Sequence, residues 1–300
     1  MATLAREMPA DAMRFAGKRS VRVKDWALLA VCLLSTGVGV AALFTLLAYV
    51  FVDAIGWLDW QFLTSTTSRF PEKAGIYPAL IGSVFMALLL IPLTLVLGIG
   101  AAVYLTEYAR PNRLTGFINI NIANLAGVPS VVWGLLGLGL FIQLLGMAYG
   151  TLLVGSLTMA LLILPVVIIS SREAIRAVPD SLRQAAFAVG ATKWQTISRV
   201  VLPRALPGIL TGTILSLARA LGETAPLIMI GVPTAVFATP DGLRDKFTTM
   251  TMQLFSWSDY PQREFQYGVL AAGVVTLLVV LLSLNALAIY LRHRFAGDNE

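Results

Sequence analysis

Residues 114–171 read LTGFININIANLAGVPSVVWGLLGLGLFIQLLGMAYGTLLVGSLTMALLILPVVIISS, 58 positions without one Asp, Glu, Lys or Arg. The hydrocarbon core of a bilayer is about 30 Å thick and takes about 20 helical residues at 1.5 Å each. Fifty-eight are far too many for one crossing, so the stretch holds two. Gly146 and Gly150, in GMAYG, mark the turn between them. Residues 26–52 and 265–291 are also uncharged, over 27 positions each. Only 13% of the 300 residues are charged against 57% hydrophobic, where a soluble domain carries about 25% charged. The fold class is therefore all-α, a polytopic membrane protein.

Cutting the chain at charges and at Gly/Pro punctuation gives six transmembrane helices, at 26–52, 76–105, 121–145, 151–171, 208–231 and 266–291. The expected organisation is a basic N-terminal arm at 1–25, a first helix at 26–52, a five-helix core at 76–291 that includes a loop at 172–207, and a tail at 292–300. The first apolar run is too long for the signal-peptide core of about 7–15 residues, so it is expected to stay as a helix. Pro92, Pro129 and Pro165 fall inside spans and are expected to kink them. Asn119, Asn121 and Asn124 fall at the start of the third.

The net charge of +6 does not point to nucleic acid, because the basic residues border the spans. With the N-terminus in the cytoplasm, the inner segments hold 16 Lys/Arg and the outer ones five, Arg69, Lys73, Arg244, Lys246 and Arg263. That asymmetry places both termini in the cytoplasm. Trp57, Trp60, Trp257 and Tyr260 fall in the outer loops 53–75 and 232–265, where they fit an interfacial belt or a docking surface. Cys32 is the single cysteine and His293 the single histidine, so no metal site, cofactor or catalytic cluster is expected. GLLGLG at 134–139 has no following Lys-Ser/Thr and reads as helix packing, not as a phosphate loop.

The loop reads SREAIRAVPDSLRQAAFAVGATKWQTISRVVLPRALPG over 171–208. Pro179 stops what precedes it, and Ser181 with Gln184 has capping-box spacing. Leu182, Ala185, Ala186 and Val189 fall on one helix face. Gly190 ends the helix, Thr192 with Gln195 caps a second carrying Trp194, Ile197 and Val201, and Leu202-Pro203 closes it. QAAFAVG, nine residues, then VVLP resembles the EAA coupling loop of ABC importer permeases, with Gln184 in place of its Glu and Val200 in place of its Ile. The resemblance implies that Gln184, Ala185, Ala186, Gly190, Leu202 and Pro203 belong to the segment that docks on an ATPase.

One cation stands apart from all loops. Arg219 lies in SLARALGETAPL with Glu223 at i+4, about 16 Å into a span starting near Gly208. A centred charge costs roughly 2.5–3.5 kcal/mol, so the pair either orders the bundle or serves the solute pathway. A guanidinium fork suits phosphate oxygens, and Glu223 can accept a hydrogen bond from a protonated oxyanion. Gly208 and Gly212 allow a neighbouring helix to approach.

Residues 75–295 closely resemble PstA-type permease subunits of bacterial phosphate ABC importers, through AAVYLTEYARP, LAGVPSVVWGLLGLGLF, LARALGETAPL, LFSWSDYPQREFQ and LNALAIYLRHRF. The resemblance implies the type I ABC importer fold in the bacterial inner membrane. The implied partners are a sister permease forming a heterodimer, an ATPase subunit dimer and an extracytoplasmic phosphate-binding protein, with inorganic phosphate as cargo. Arg219 and Glu223 match that family's charged pair, and ATP hydrolysis is expected in the partner, not in this chain. The rival expectations are a permease for another oxyanion and an ion-coupled secondary anion transporter. The second has no use for the coupling loop.

Overall fold

The computed structural model describes residues 19–297. The expected arm up to residue 18 and residues 298–300 of the tail lie outside the described residues. The chain divides after Val52, the first helix forming one unit and the residues from Asp53 a second. Helix α1, Arg19–Ala54, is apolar on every side through the span and is long and apolar enough to cross a membrane.

The second unit opens with a short helix, α2 (Trp60–Thr64), capped by Asp59, whose carboxylate accepts from the Phe62 N–H at 2.7 Å. A 3-10 turn at Pro71–Lys73 leads to α3 (Tyr77–Val103), which contains Pro92 and runs on as a π turn, Tyr104–Tyr108. Next come α4 (Arg113–Ala126) and α5 (Ser130–Gly137), the latter continued by a π segment, Leu138–Leu144. These two are bent by 106° at residues 127–129. The third span is therefore not one helix over 121–145 with a kink. Pro129 has no N–H and disfavours the helical backbone at Val128, so the chain breaks there. Asn112 caps α4, accepting from Thr115 N–H at 2.8 Å; Asn119, Asn121 and Asn124 lie within that helix and do not begin it.

Gly146 and Gly150 adopt φ of +65° and +67°, forming the turn expected there. Beyond it lie α6 (Leu152–Arg176), α7 (Asp180–Ala188) and α8 (Lys193–Thr196), then a π turn at Ile197–Val201. The chain ends with α9 (Leu202–Gly222), α10 (Ala225–Met229), α11 (Met250–Ser258), a π turn at Phe265–Val269 and α12 (Leu270–Gly297). Two expectations fail here. Leu202-Pro203 does not stop the helix, since residues Lys193–Gly222 run as one continuous helical segment. The π turn just before Pro203 shifts the hydrogen-bond register, an adjustment that accommodates a proline. The span read as 208–231 is also not one helix, because it stops at Gly222.

Helices α3, α6 and α9 form the centre. A Cβ on Gly208 would stand 2.8 Å from the Ala174 Cβ and one on Gly212 would strike Ser170, so the GxxxG pair is what lets α9 lie against α6. Met86, Leu90, Trp133, Phe141, Met159, Ile163, Leu217, Leu227 and Phe247 share one buried core. Of the glycine-rich run, Gly134 packs on α10, with Pro226 Cα 2.7 Å from where its Cβ would be, and a Cβ on Gly137 would strike Thr158 of α6, whereas Gly139 meets nothing. The outer aromatics divide. Trp257 is fully buried between Phe62 and Phe265, with ring centroids at 5.9 and 6.5 Å, so it is core and neither belt nor dock. Trp60 is exposed.

These exposures define a topology test in a Cys32→Ser background. Trp60→Cys should react with a membrane-impermeant maleimide in sealed cells, and Ala188→Cys only after permeabilisation. Labelling at 188 from outside would contradict the expected cytoplasmic position of the 172–207 loop.

Candidate functional site

Arg219 sits in the last turn of α9, and Glu223 is the residue that follows its end. Glu223 has an extended backbone (φ −85°, ψ 137°), so the two are not on one continuous helix face as the spacing implied. They still meet, with Arg219 Nε 3.6 Å from Glu223 Oε1. The Arg219 side chain is 52% exposed and that of Glu223 23%. Arg219 also stands where a helix C-terminus favours a cation. Within the described residues the Arg219 guanidinium makes no hydrogen bond, and it stays half exposed beside Glu223.

The break is supported from the side. Thr251 Oγ1 donates to the Glu223 carbonyl at 3.2 Å and lies 3.0 Å from Thr249 Oγ1. Thr249 caps α11 by accepting from Met252 N–H, and Met250 N–H donates to Ser83 Oγ at 2.9 Å. Irregular backbone at membrane depth is tolerated where protein covers it or where it lines a cavity. Thr251 fills that role here, and nothing local in TTMTM announces it.

The loop has the two expected short helices with Gly190 between them at φ +84°, a left-handed conformation that a β-branched residue resists. Thr192 and Gln195 form the expected capping box, the Thr192 N–H donating to Gln195 Oε1 at 2.8 Å. Ser181 and Gln184 do not, because α7 begins at Asp180 directly after Pro179 and Ser181 is already inside it. The expected apolar faces are also only partly buried. Ala186, Ile197 and Val201 are buried and Leu182 packs beside them, whereas Gln184, Ala185, Val189 and Trp194 face outward. Phe187, Val189 and Trp194 together expose apolar surface around the Gly190 turn. Leu202 and Pro203 are half-buried at the start of α9.

Three charged residues play parts that the sequence reading did not assign. Arg172, the first charge after the uncharged run, is 7% exposed within α6, and its Nε has no hydrogen-bond partner. Arg183 and Glu107 meet through Nη2–Oε1 at 2.9 Å, 76 positions apart in the chain. That separation hides the pair from any local pattern.

A family model described as "Binding-protein-dependent transport system inner membrane component" matches residues 94–297. The chain belongs to this family. Among these inner membrane components it is 36% identical over 200 residues to "Probable ABC transporter permease protein YqgI" of Bacillus subtilis (strain 168), covering 67% of this chain and 66% of that one. The chain thus spans about two thirds of that relative's length. It is 37% identical over 227 residues to "Phosphate transport system permease protein PstA 1" of Mycobacterium tuberculosis (strain CDC 1551 / Oshkosh), covering 74% and 72%. Among solved structures, a bacterial alginate ABC transporter chain superposes with TM-score 0.65 at 15% identity, covering 91% of this chain and 96% of that one. A chain of the MetNI methionine ABC transporter gives 0.58 at 16% identity, covering 71% and 93%. The inner membrane component accordingly has the type I ABC importer permease fold, as the resemblance of residues 75–295 implied.

Space around Gly190 is open, so what a side chain there meets is backbone strain and not a clash. Gly190→Val should cost roughly 1–2 kcal/mol in the left-handed turn, enough to change the angle between α7 and α8. We expect normal membrane insertion and loss of most solute uptake. Gly190→Asn, which tolerates that conformation, should keep most of it.

Proposed function

We propose that this chain is the permease subunit of an ATP-driven importer that carries inorganic phosphate across the bacterial cytoplasmic membrane, both termini facing the cytoplasm. The observation that carries the reading is Arg219, beside Glu223 at a helix break, with its guanidinium half exposed and making no hydrogen bond within the described residues. A fork of two parallel N–H donors matches two oxygens of a tetrahedral anion. Glu223 beside it accepts a hydrogen bond from phosphate, which is protonated near neutral pH, and repels sulfate, which is not. This favours phosphate over another oxyanion, in line with the relative named as a phosphate transport system permease.

The partners follow from the same reading. The apolar surface at Phe187, Val189 and Trp194, with Gln184, Ala185, Ala186, Gly190, Leu202 and Pro203 forming or supporting it, docks a dimer of ATPase subunits that performs the hydrolysis. A sister permease completes the pathway as a heterodimer, and an extracytoplasmic binding protein delivers the anion to the outer loops. A secondary transporter has no role for two short cytoplasmic helices with an exposed apolar turn, which weighs against that alternative.

Substituting Arg219 by Lys keeps the charge and removes the fork. Losing one charge-assisted hydrogen bond of about 1.5–3 kcal/mol corresponds to a fall of roughly ten- to a hundredfold in phosphate uptake. Exchanging the pair (Arg219→Glu with Glu223→Arg) retains opposite charges and moves the cation onto the extended residue after the helix. We expect a folded, assembled and inactive complex. Near-normal uptake by the exchanged variant, measured beside complex yield, would leave a bundle-ordering ion pair as the better account.

A further inference from the structure

The 172–207 loop is covalently joined to α6 and α9 only, yet a nearly buried ion pair ties it to a third helix as well. Arg183, on α7, donates from both Nε (3.2 Å) and Nη2 (2.9 Å) to Glu107 Oε1, in the π turn that ends α3. The same guanidinium donates to the Ile175 carbonyl at 2.9 Å and the Val178 carbonyl at 2.6 Å, and Nη1 reaches Asp180 Oδ1 at 3.0 Å. Arg183 thus ties three segments at once: the end of α6, the start of α7 and the end of α3. The Glu107 and Arg183 side chains are 12% and 15% exposed, so water competes little for the pair. Asp180 is a bystander, being almost fully exposed.

The second half of the loop holds the same turn. Lys193, the first residue of α8, places Nζ 4.6 Å from the Tyr108 ring centroid, a cation–π contact with the residue next to Glu107. Beneath both contacts, Ala102 and Val103 of α3 share a buried cluster with Ile175, Val178, Ile197 and Val201. Gly190 separates the two halves, and each half grips residues 104–108.

We infer that Glu107 and Arg183, seconded by Tyr108 and Lys193, are positioning residues that make α3 a driven element: motion imposed on the loop passes into the bilayer through α3 as well as through α6 and α9. The inference rests on the proposed ATP-driven reading. Without the clamp, α7 and α8 still meet the ATPase, and hydrolysis continues, but α3 no longer follows. The signature is therefore a fall in transport per ATP hydrolysed, not a loss of both.

The experiment uses the full complex with its ATPase and sister subunits in proteoliposomes, with the binding protein and inorganic phosphate supplied. Complex yield, ATP hydrolysis and phosphate uptake are measured on the same preparations. Glu107→Gln should lower the uptake-to-hydrolysis ratio by about tenfold or more, breaking a buried charged contact, at a yield close to that of the unaltered complex. Asp180→Ala should change nothing. Because Glu107→Gln alone leaves a buried cation, the neutral double variant Glu107→Gln with Arg183→Met is measured too; it should assemble and show the same uncoupling. An unchanged ratio in an assembled variant overturns the inference. So does loss of assembly in the neutral double variant, which would make the contact structural only. If the unaltered complex itself fails to take up phosphate with ATP, the functional proposal fails instead.

Discussion

No water reaches the hydrocarbon core, so every backbone N–H and C=O at that depth has to find a partner within the protein. That constraint makes the chain helical and makes each helix break expensive. The two breaks within otherwise apolar spans, at 127–129 and at Gly222–Glu223, are therefore the places where the fold departs from the cheapest solution. Both are attended to by neighbours. Thr251 satisfies the Glu223 carbonyl, and α5, entered through the first break, packs closely on α10, which follows the second. The charged pair sits at one of these breaks and not along a helix flank.

Close packing between α6 and α9 is what allows the rest. Glycines at 208 and 212 bring the two backbones together in a setting where lipid is as apolar as leucine and supplies little drive for association. With that contact fixed, α9 carries two tasks on one rod. Its beginning is continuous with α8 of the cytoplasmic loop, and its end presents Arg219. This continuous helical segment, with its π turn and with Pro207 inside α9, connects loop and charge along one span.

Much of this was legible in residue order. Charge-free runs gave the spans, GMAYG the turn between the third and fourth, Gly190 and the Thr192–Gln195 box the shape of the loop, and GxxxG the central packing. What was misread depends on backbone register or on distant contacts. Pro129 breaks its span where Pro92 and Pro165 stay within helices, and Pro203 is passed by a π turn that no local composition reveals. Ser181 has the spacing of a cap yet lies one residue inside the helix, because Pro179 already sets its start. Trp257 looks like an interfacial anchor by composition and is buried by Phe62 and Phe265 from two other segments. The Glu107–Arg183 contact is invisible for the same reason: its partners are brought together only by the fold.

The opposite charges of Arg219 and Glu223 carry an electrical consequence. This chain sets one basic and one acidic side chain side by side at the break. On the proposed reading the site's charges stay with the protein, and each passage moves at least one negative charge of phosphate toward an inside-negative compartment. The opposing work is about 2.3 kcal/mol per charge for every 100 mV. A site built this way does not draw the anion inward by voltage; it works against the membrane potential, and the energy for each step has to arrive mechanically from the cytoplasmic face.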